Sequence, residues 1–229
     1  MSLVLMVDRR RERAARALAS LLRQTILDRL EIVLLDFGGP AVAPVPGADH
    51  PRVRLIRLRR GLPYGFAKLI GFRAARAPVV GFLEEHCRYA PRWAEAILAE
   101  FHDCTVGAVC GEMHNARPAR WMSDAISVAT AGPWTAPARS GPALALASNN
   151  SAYRRELLDR WEQDLDRLLG VEPLLQARVR AAGSQLRIVA EAPFEHEFPV
   201  VLSDYLAPRF LHDWTFAATM AELDGWRWP

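Results

Sequence analysis

Lysine is almost missing from this chain. Of its 29 basic residues only Lys68 is a lysine, and the others are arginine. Against a background that so prefers the planar guanidinium, a single lysine marks a place that suits a compact point charge. Cysteine is scarce as well, and Cys87, Cys104 and Cys110 are odd in number with no zinc-type spacing. That argues against a disulfide scaffold and against a zinc module, and leaves reduced thiols, with Cys104 and Cys110 read as small core residues. Long apolar runs are absent: none approaches the ~20 residues that span a bilayer. Met1–Val7 is too short for a signal-peptide core and is cut off by the basic run Arg9–Arg13, so the expected location is the cytosol, up to the inner face of the membrane. The net charge of +3, with no interleaving of aromatic and basic residues, excludes nucleic acid from the expected partners. There is no internal repeat, and the only compositional bias is toward alanine.

What is present is 229 residues, 51% of them hydrophobic, enough to bury a full core as one domain. Apolar runs at Ser2–Val7, Glu31–Leu35, Val53–Leu58, Val79–Leu83 and Val106–Gly111 read as strands. Between them, Arg11–Leu27, Tyr64–Arg76 and Arg92–His102 carry helical spacing. Such alternation predicts an α/β fold, a mainly parallel sheet with helices on both faces. Asn115–Gly141 reads as a long surface excursion. Arg154–Leu169 and Glu172–Ala182 read as helices, Leu186–Ala190 as a short strand, and Tyr205–Leu223 as an amphipathic aromatic tail. The expected organisation is one domain in three stretches, 1–111, 112–197 and the tail 198–229.

The richest stretch is Pro78–Trp93, where a buried strand ends in Glu84, Glu85 and His86. Ionisable groups at the carboxyl end of a buried strand need a cationic partner, and in open α/β sheets that end is where ligands bind. Glu84 and His86 alternate with Glu85, so they share a face, and that pair is the stronger ligand candidate. Asp36 ends a strand just ahead of two glycines, which reads as a turn position. Lys68 lies near Gly61 and Gly65, between the third and fourth strands, and suits contact with a nucleotide. An extended Phe194–Phe198 would put His196 on one face with the two phenylalanines, opposite Glu195 and Glu197. Asn150 or Ser151 reads as a helix cap before Arg154.

The order of these pieces resembles family 2 glycosyltransferases of the GT-A fold. "ALASLLRQTILDRLEIVLLDFGG" is similar to the family's opening helix and its strand ending in Asp-Asp-Gly-Ser. "AKLIGFRAARAPVVGFLEEH" is similar to its block ending in the Asp-x-Asp signature, "NNSAYRRELL" to its acceptor-side segment, and "GVEPLLQARVRAAG" to a later helix. His196 matches a late histidine of many members. The resemblance implies a nucleotide-diphospho-sugar donor, a hydroxyl-bearing acceptor (a glycan, a lipid-linked sugar or a small molecule), hexosyl transfer with inversion, and a divalent metal, Mn or Mg. It places the metal on Glu84, His86 and His196, the nucleotide on Asp8, Asp36, Phe37, Lys68 and Glu84, Asn150 near donor or acceptor hydroxyls, and Glu172 as the general base. The family's Pro-Thr-Tyr opening appears here as Met6-Val7-Asp8, and two further departures bear on activity. Phe37 stands where the second Asp is expected, and Glu-Glu-His replaces the acidic signature. Those departures motivate a second reading, a non-catalytic relative that binds nucleotide or glycan. A nucleotidyltransferase is disfavoured, since no Gly-rich, Lys-bearing signature lies near the start. Trp121, Trp134, Tyr205, Phe210, Trp214, Phe216, Trp226 and Trp228 could stack on sugars or pack in the core, and the tail could dock a second copy or a membrane surface.

Overall fold

The apolar run at the start becomes β1 (Ser2–Val7), buried along its whole length. Continuous burial on both faces is the mark of a central parallel strand. The chain continues through α1 (Arg11–Leu22), β2 (Glu31–Asp36), β3 (Val53–Arg57), α2 (Tyr64–Ala74), β4 (Val79–Glu84) and β5 (Cys87–Tyr89). It then forms α3 (Trp93–Glu100), β6 (Val106–Asn115), α4 (Trp121–Ala131), β7 (Gly141–Ala143) and β8 (Ser151–Arg154). The remainder is α5 (Arg155–Asp159), α6 (Leu165–Gly170), α7 (Glu172–Ala181), β9 (Gln185–His196) and α8 (Leu202–Leu223). This computed structural model describes residues 1–148 and 150–223, so Asn149, Trp226 and Trp228 lie outside the described residues.

The strands join in one sheet of order β3-β2-β1-β4-β8-β6-β9-β5, with β7 also paired to β9. β3, β2, β1 and β4 run parallel, as their βα alternation requires. Beyond β4 the sheet is mixed, because β8 enters antiparallel between β4 and β6. β6 and β9 then pair in parallel, with β5 antiparallel on the far edge of β9. The sheet is thus parallel in its first half rather than throughout.

Other differences from the sequence reading have local causes. Ser151–Arg154 is a strand, so the helix starts at Arg155 and Asn150 caps nothing. Arg154 satisfies three backbone carbonyls, Phe101, Asp103 and Val106, which explains a charged residue at a strand end. The surface excursion contains α4, and β9 runs 12 residues instead of five. Cys110 is buried as expected, whereas Cys104 is exposed.

One glycine sets the distance between two helices that matter below. A Cβ on Gly65 would collide with the Asp166 carbonyl and with the backbone of Gly170. α2 and α6 therefore pack backbone to backbone, which only glycine permits at this approach. Lys68, one turn further along α2, is carried beneath the start of α7.

Candidate functional site

β4 ends at Glu84, the chain turns through Glu85 and His86, and β5 begins at Cys87. β5 pairs antiparallel with the end of β9, placing Cys87 opposite His196. Three separate segments thereby deliver side chains to one spot. His86 Nε2 lies 2.9 Å from Glu84 Oε2 and 3.0 Å from His196 Nε2, and His196 Nε2 lies 4.0 Å from Glu84 Oε2. Glu84, His86, Cys87 and His196 each offer a ligand atom, all within 4.8 Å of one another. His196 is fixed by aromatic contact, 4.2 Å from the Phe198 ring and edge-on to His86 at 4.5 Å.

Its electrostatics describe a cage that wants one positive charge. Burial alone would raise the Glu84 carboxyl, but the charge and hydrogen bond of His86 outweigh it and hold the group low. Burial would lower His86, and the Glu84 carboxylate reverses this and raises it. Burial and the neighbouring His86 charge push His196 down to about 3. Two imidazole nitrogens at contact distance share a single proton, as like charges cannot both be carried. His196 Nδ1 is buried and without a hydrogen-bond partner among the described residues. A carboxylate and two imidazoles are a donor set that fits a divalent metal, with the ion taking the place of the shared proton. Burial pushes the Cys87 thiol well up, so without a metal it adds no charge to the cluster.

Glu85 turns the other way. Its Oε2 accepts from the Asp8 backbone N–H at 2.7 Å, tying this turn to the end of β1. Asp8 is exposed, and β1 and β2 end side by side, with Phe37 N–H donating to the Val7 carbonyl at 2.9 Å. Asp36 is buried and held bidentately by Arg11 at 2.9 and 3.1 Å, while its Oδ1 accepts from Gly38 N–H. The turn role of Asp36 is therefore present, with an arginine that sequence reading had not paired to it. Phe37 is partly buried against the core.

Lys68 and Glu172, 104 residues apart, form a buried ion pair at 2.6 Å, with side chains only 2% and 1% exposed. Lys68 also donates to the Leu169 carbonyl at 3.1 Å and sits 5.2 Å from the Tyr64 ring centroid. The other Glu172 oxygen accepts from Tyr153 hydroxyl at 3.3 Å. The Nζ expected on a nucleotide is thus committed to Glu172. Tyr64 links the two clusters, its hydroxyl 3.5 Å from Glu84 Oε1. Asn150 is buried, accepting from Tyr89 hydroxyl at 2.7 Å, and its Nδ2 has no partner among the described residues. Trp121 is exposed at the start of α4, whereas Trp134 donates to the Ala145 carbonyl and packs on the core.

Sequence reasoning missed Glu197. It is buried and accepts from Arg13, Arg16 and Arg117 at 2.9–3.1 Å. The signal was the arginine run Arg9–Arg13, read only as an interruption of the apolar start.

Comparison with known proteins adds three findings. The family model for glycosyl transferase family 2 matches residues 2–161. A 60-residue stretch is 40% identical to polypeptide N-acetylgalactosaminyltransferase 12 of Mus musculus, covering 26% of this chain and 10% of that protein. The fold is similar to the crystal structure of GalNAc-T7 with UDP, GalNAc and Mn2+, with a TM-score of 0.63 at 16% identity over 86% of this chain and 43% of that one. The chain spans less than half the length of either relative, and at that identity the structural likeness is one of fold.

Proposed function

The chain belongs to glycosyl transferase family 2, and on that premise we propose that it moves a hexosyl unit from a nucleotide-diphosphate donor to a hydroxyl-bearing acceptor with inversion. The observation that carries this reading is the convergence of Glu84, His86 and His196 at the carboxyl end of β4. These three would hold Mn2+ or Mg2+, and the imidazole pair favours the softer Mn2+. The Mn2+ and UDP bound in GalNAc-T7 support the same assignment. A divalent ion there would supply Lewis-acid neutralisation of the departing diphosphate.

The chain's own residues take the other roles. The nucleotide lies along 1–111, over the ends of β1 and β2, where Asp8 is free to accept from a base and Phe37 to stack on one. Arg11 orients Asp36 through its two hydrogen bonds. The acceptor lies over 112–197, against α4 with its exposed Trp121, and the buried Asn150, whose Nδ2 has no partner among the described residues, would meet donor or acceptor hydroxyls once the site opens. It is a glycan, a lipid-linked sugar or a small molecule. Glu172 is the base for the acceptor hydroxyl. In the closed state its two oxygens are engaged by Lys68 and Tyr153, so the pair must open for the acceptor to reach it. Lys68 then acts on Glu172 by holding it in place. Leu202, Leu206, Phe210 and Trp214 are exposed on α8, which supports tail contact with a second copy or a membrane surface. No helix among the described residues is long and apolar enough to cross a membrane.

A second reading rests on that closed pair: a relative that binds nucleotide without turnover. A screen of nucleotide sugars, reading released nucleotide diphosphate with Mn2+ and with EDTA, separates the two. Metal-dependent release from at least one donor is the expected result. Metal-dependent binding of nucleotide diphosphate with no release from any donor would favour the second.

A further inference from the structure

Glu197 opens onto a cavity of which the transfer scheme uses only Arg11. It holds about 420 Å3 and is lined by Arg10, Arg11, Arg13, Arg16, Arg117 and Glu197. That volume lies within the roughly 300–1,000 Å3 typical of small-ligand clefts. The charges inside do not balance. Arg13, Arg16 and Arg117 all donate to the one Glu197 carboxylate, and Arg88 stands 3.7 Å from it. Arg11 is matched by Asp36 at the rim. Arg10 is exposed and makes no ion pair among the described residues. Glu12 is the only other acid on the wall. Three guanidiniums thus converge on one monovalent group.

The helix beneath sharpens the imbalance. α1 begins here with Arg10 at its N-cap position and no side-chain cap. Cations at a helix N-terminus oppose the macrodipole, and here the Arg11 and Arg13 N–H groups already donate to the Arg9 and Arg10 carbonyls, so any anion must be held by the guanidiniums. Arginine in this number, at this end, is unfavourable unless an anion joins it. Guanidinium forks match the oxygens of phosphate as well as carboxylate, and a dianion answers the surplus charge better than Glu197 can.

We propose that this cavity is a site for a phosphate or diphosphate group, separate from the Glu84–His86–His196 cluster. The two sites stand back to back. Glu197 follows His196 in the chain, and its backbone N–H donates to the His86 carbonyl at 3.0 Å. The donor's diphosphate belongs with the metal cluster, so the arginine cavity takes a phosphate carried by the second substrate. That last assignment rests on the transfer reading; the anion site does not.

The test is titration calorimetry with inorganic pyrophosphate in EDTA, where metal-dependent binding is silent. The wild type binds, more weakly as salt rises. Arg16→Gln is 44% exposed at its side chain and safe for the fold, and it weakens binding by about tenfold. The double variant Arg13→Gln/Arg117→Gln weakens it by about a hundredfold. Glu197→Gln tightens it several-fold, which loss of a merely structural pair would not do. Glu84→Gln leaves it unchanged. Absence of binding in EDTA overturns the proposal. So does binding that ignores the arginine variants, or that arrives only with Mn2+ and is lost in Glu84→Gln, since the phosphate then sits on the metal cluster. A domain that turns over no donor yet binds pyrophosphate through these arginines would refute the transfer reading alone.

Discussion

Two clusters of ionisable groups, joined by Tyr64, contrast in how they are satisfied. The Lys68–Glu172 pair is sealed, with a backbone carbonyl on the lysine and a tyrosine hydroxyl on the carboxylate. The Glu84–His86–His196 cluster is partly open, shares one proton between two imidazoles, and leaves His196 Nδ1 unpaired. A sealed, matched pair holds elements together, here α2 to α7. An unmatched one is unfavourable to maintain in the fold and makes sense when something outside the chain completes it.

The largest effect should come from breaking the sealed pair. Lys68→Met removes the cation beside the buried Glu172 carboxylate, and should cost about 3–5 kcal/mol of unfolding free energy. Lys68→Met/Glu172→Leu should recover most of that loss, since an apolar pair of similar volume replaces both charges. Urea unfolding of the two variants measures this. If the single variant loses under ~1 kcal/mol, the pair does not hold the helices.

Acid should act on the other cluster. His196 sits near 3 in the folded state, against an ordinary ~6.5 when unfolded. Between those values the unfolded chain takes up a proton that the folded one refuses, so stability falls as pH drops through that window. His86, raised by Glu84, has the opposite sign. Its contribution is full below its unfolded value and fades as pH climbs through its folded one. In EDTA, His196→Phe should therefore lose less stability than wild type between pH 7 and pH 4.5. Urea midpoints at both values check this, and parallel losses would contradict it.

The smallest effect belongs to a pair that is neither sealed nor convergent. Arg73 and Glu162 meet at 3.2 Å with side chains 58% and 60% exposed. Arg73→Ala should change stability by no more than ~0.5 kcal/mol. A larger loss in the same urea series would mean that exposure is a poor guide to which pairs matter.

Some of this was legible in the chain and some was not, for physical reasons. β1, β2 and β4 announce themselves because strands buried on both faces must be apolar throughout. β9 was read as five residues because its second half carries Glu191 and Glu195, which satisfy an edge rather than a core. β8 was missed, with Asn150 or Ser151 read as a helix cap and Arg154 as helical, because four residues offer no period and Arg154 looks solvated until its carbonyl partners are seen. The Glu84/His86 pair followed from alternation, and its place next to β9 came from pairing of β5 that no local pattern encodes. Lys68 stood out by rarity, yet its partner is 104 residues away and only the close approach at Gly65 brings them together. The Glu197 cluster joins residues more than 180 positions apart, beyond any local signal.

The central claim is that Glu84, His86 and His196 form one divalent-metal site. Mn2+ binding followed by electron paramagnetic resonance tests it most directly. One Mn2+ should bind per chain, and each of Glu84→Gln, His86→Ala and His196→Ala should weaken it by at least about tenfold while far-UV circular dichroism stays unchanged. Mn2+ that binds equally well to the triple variant would contradict the account.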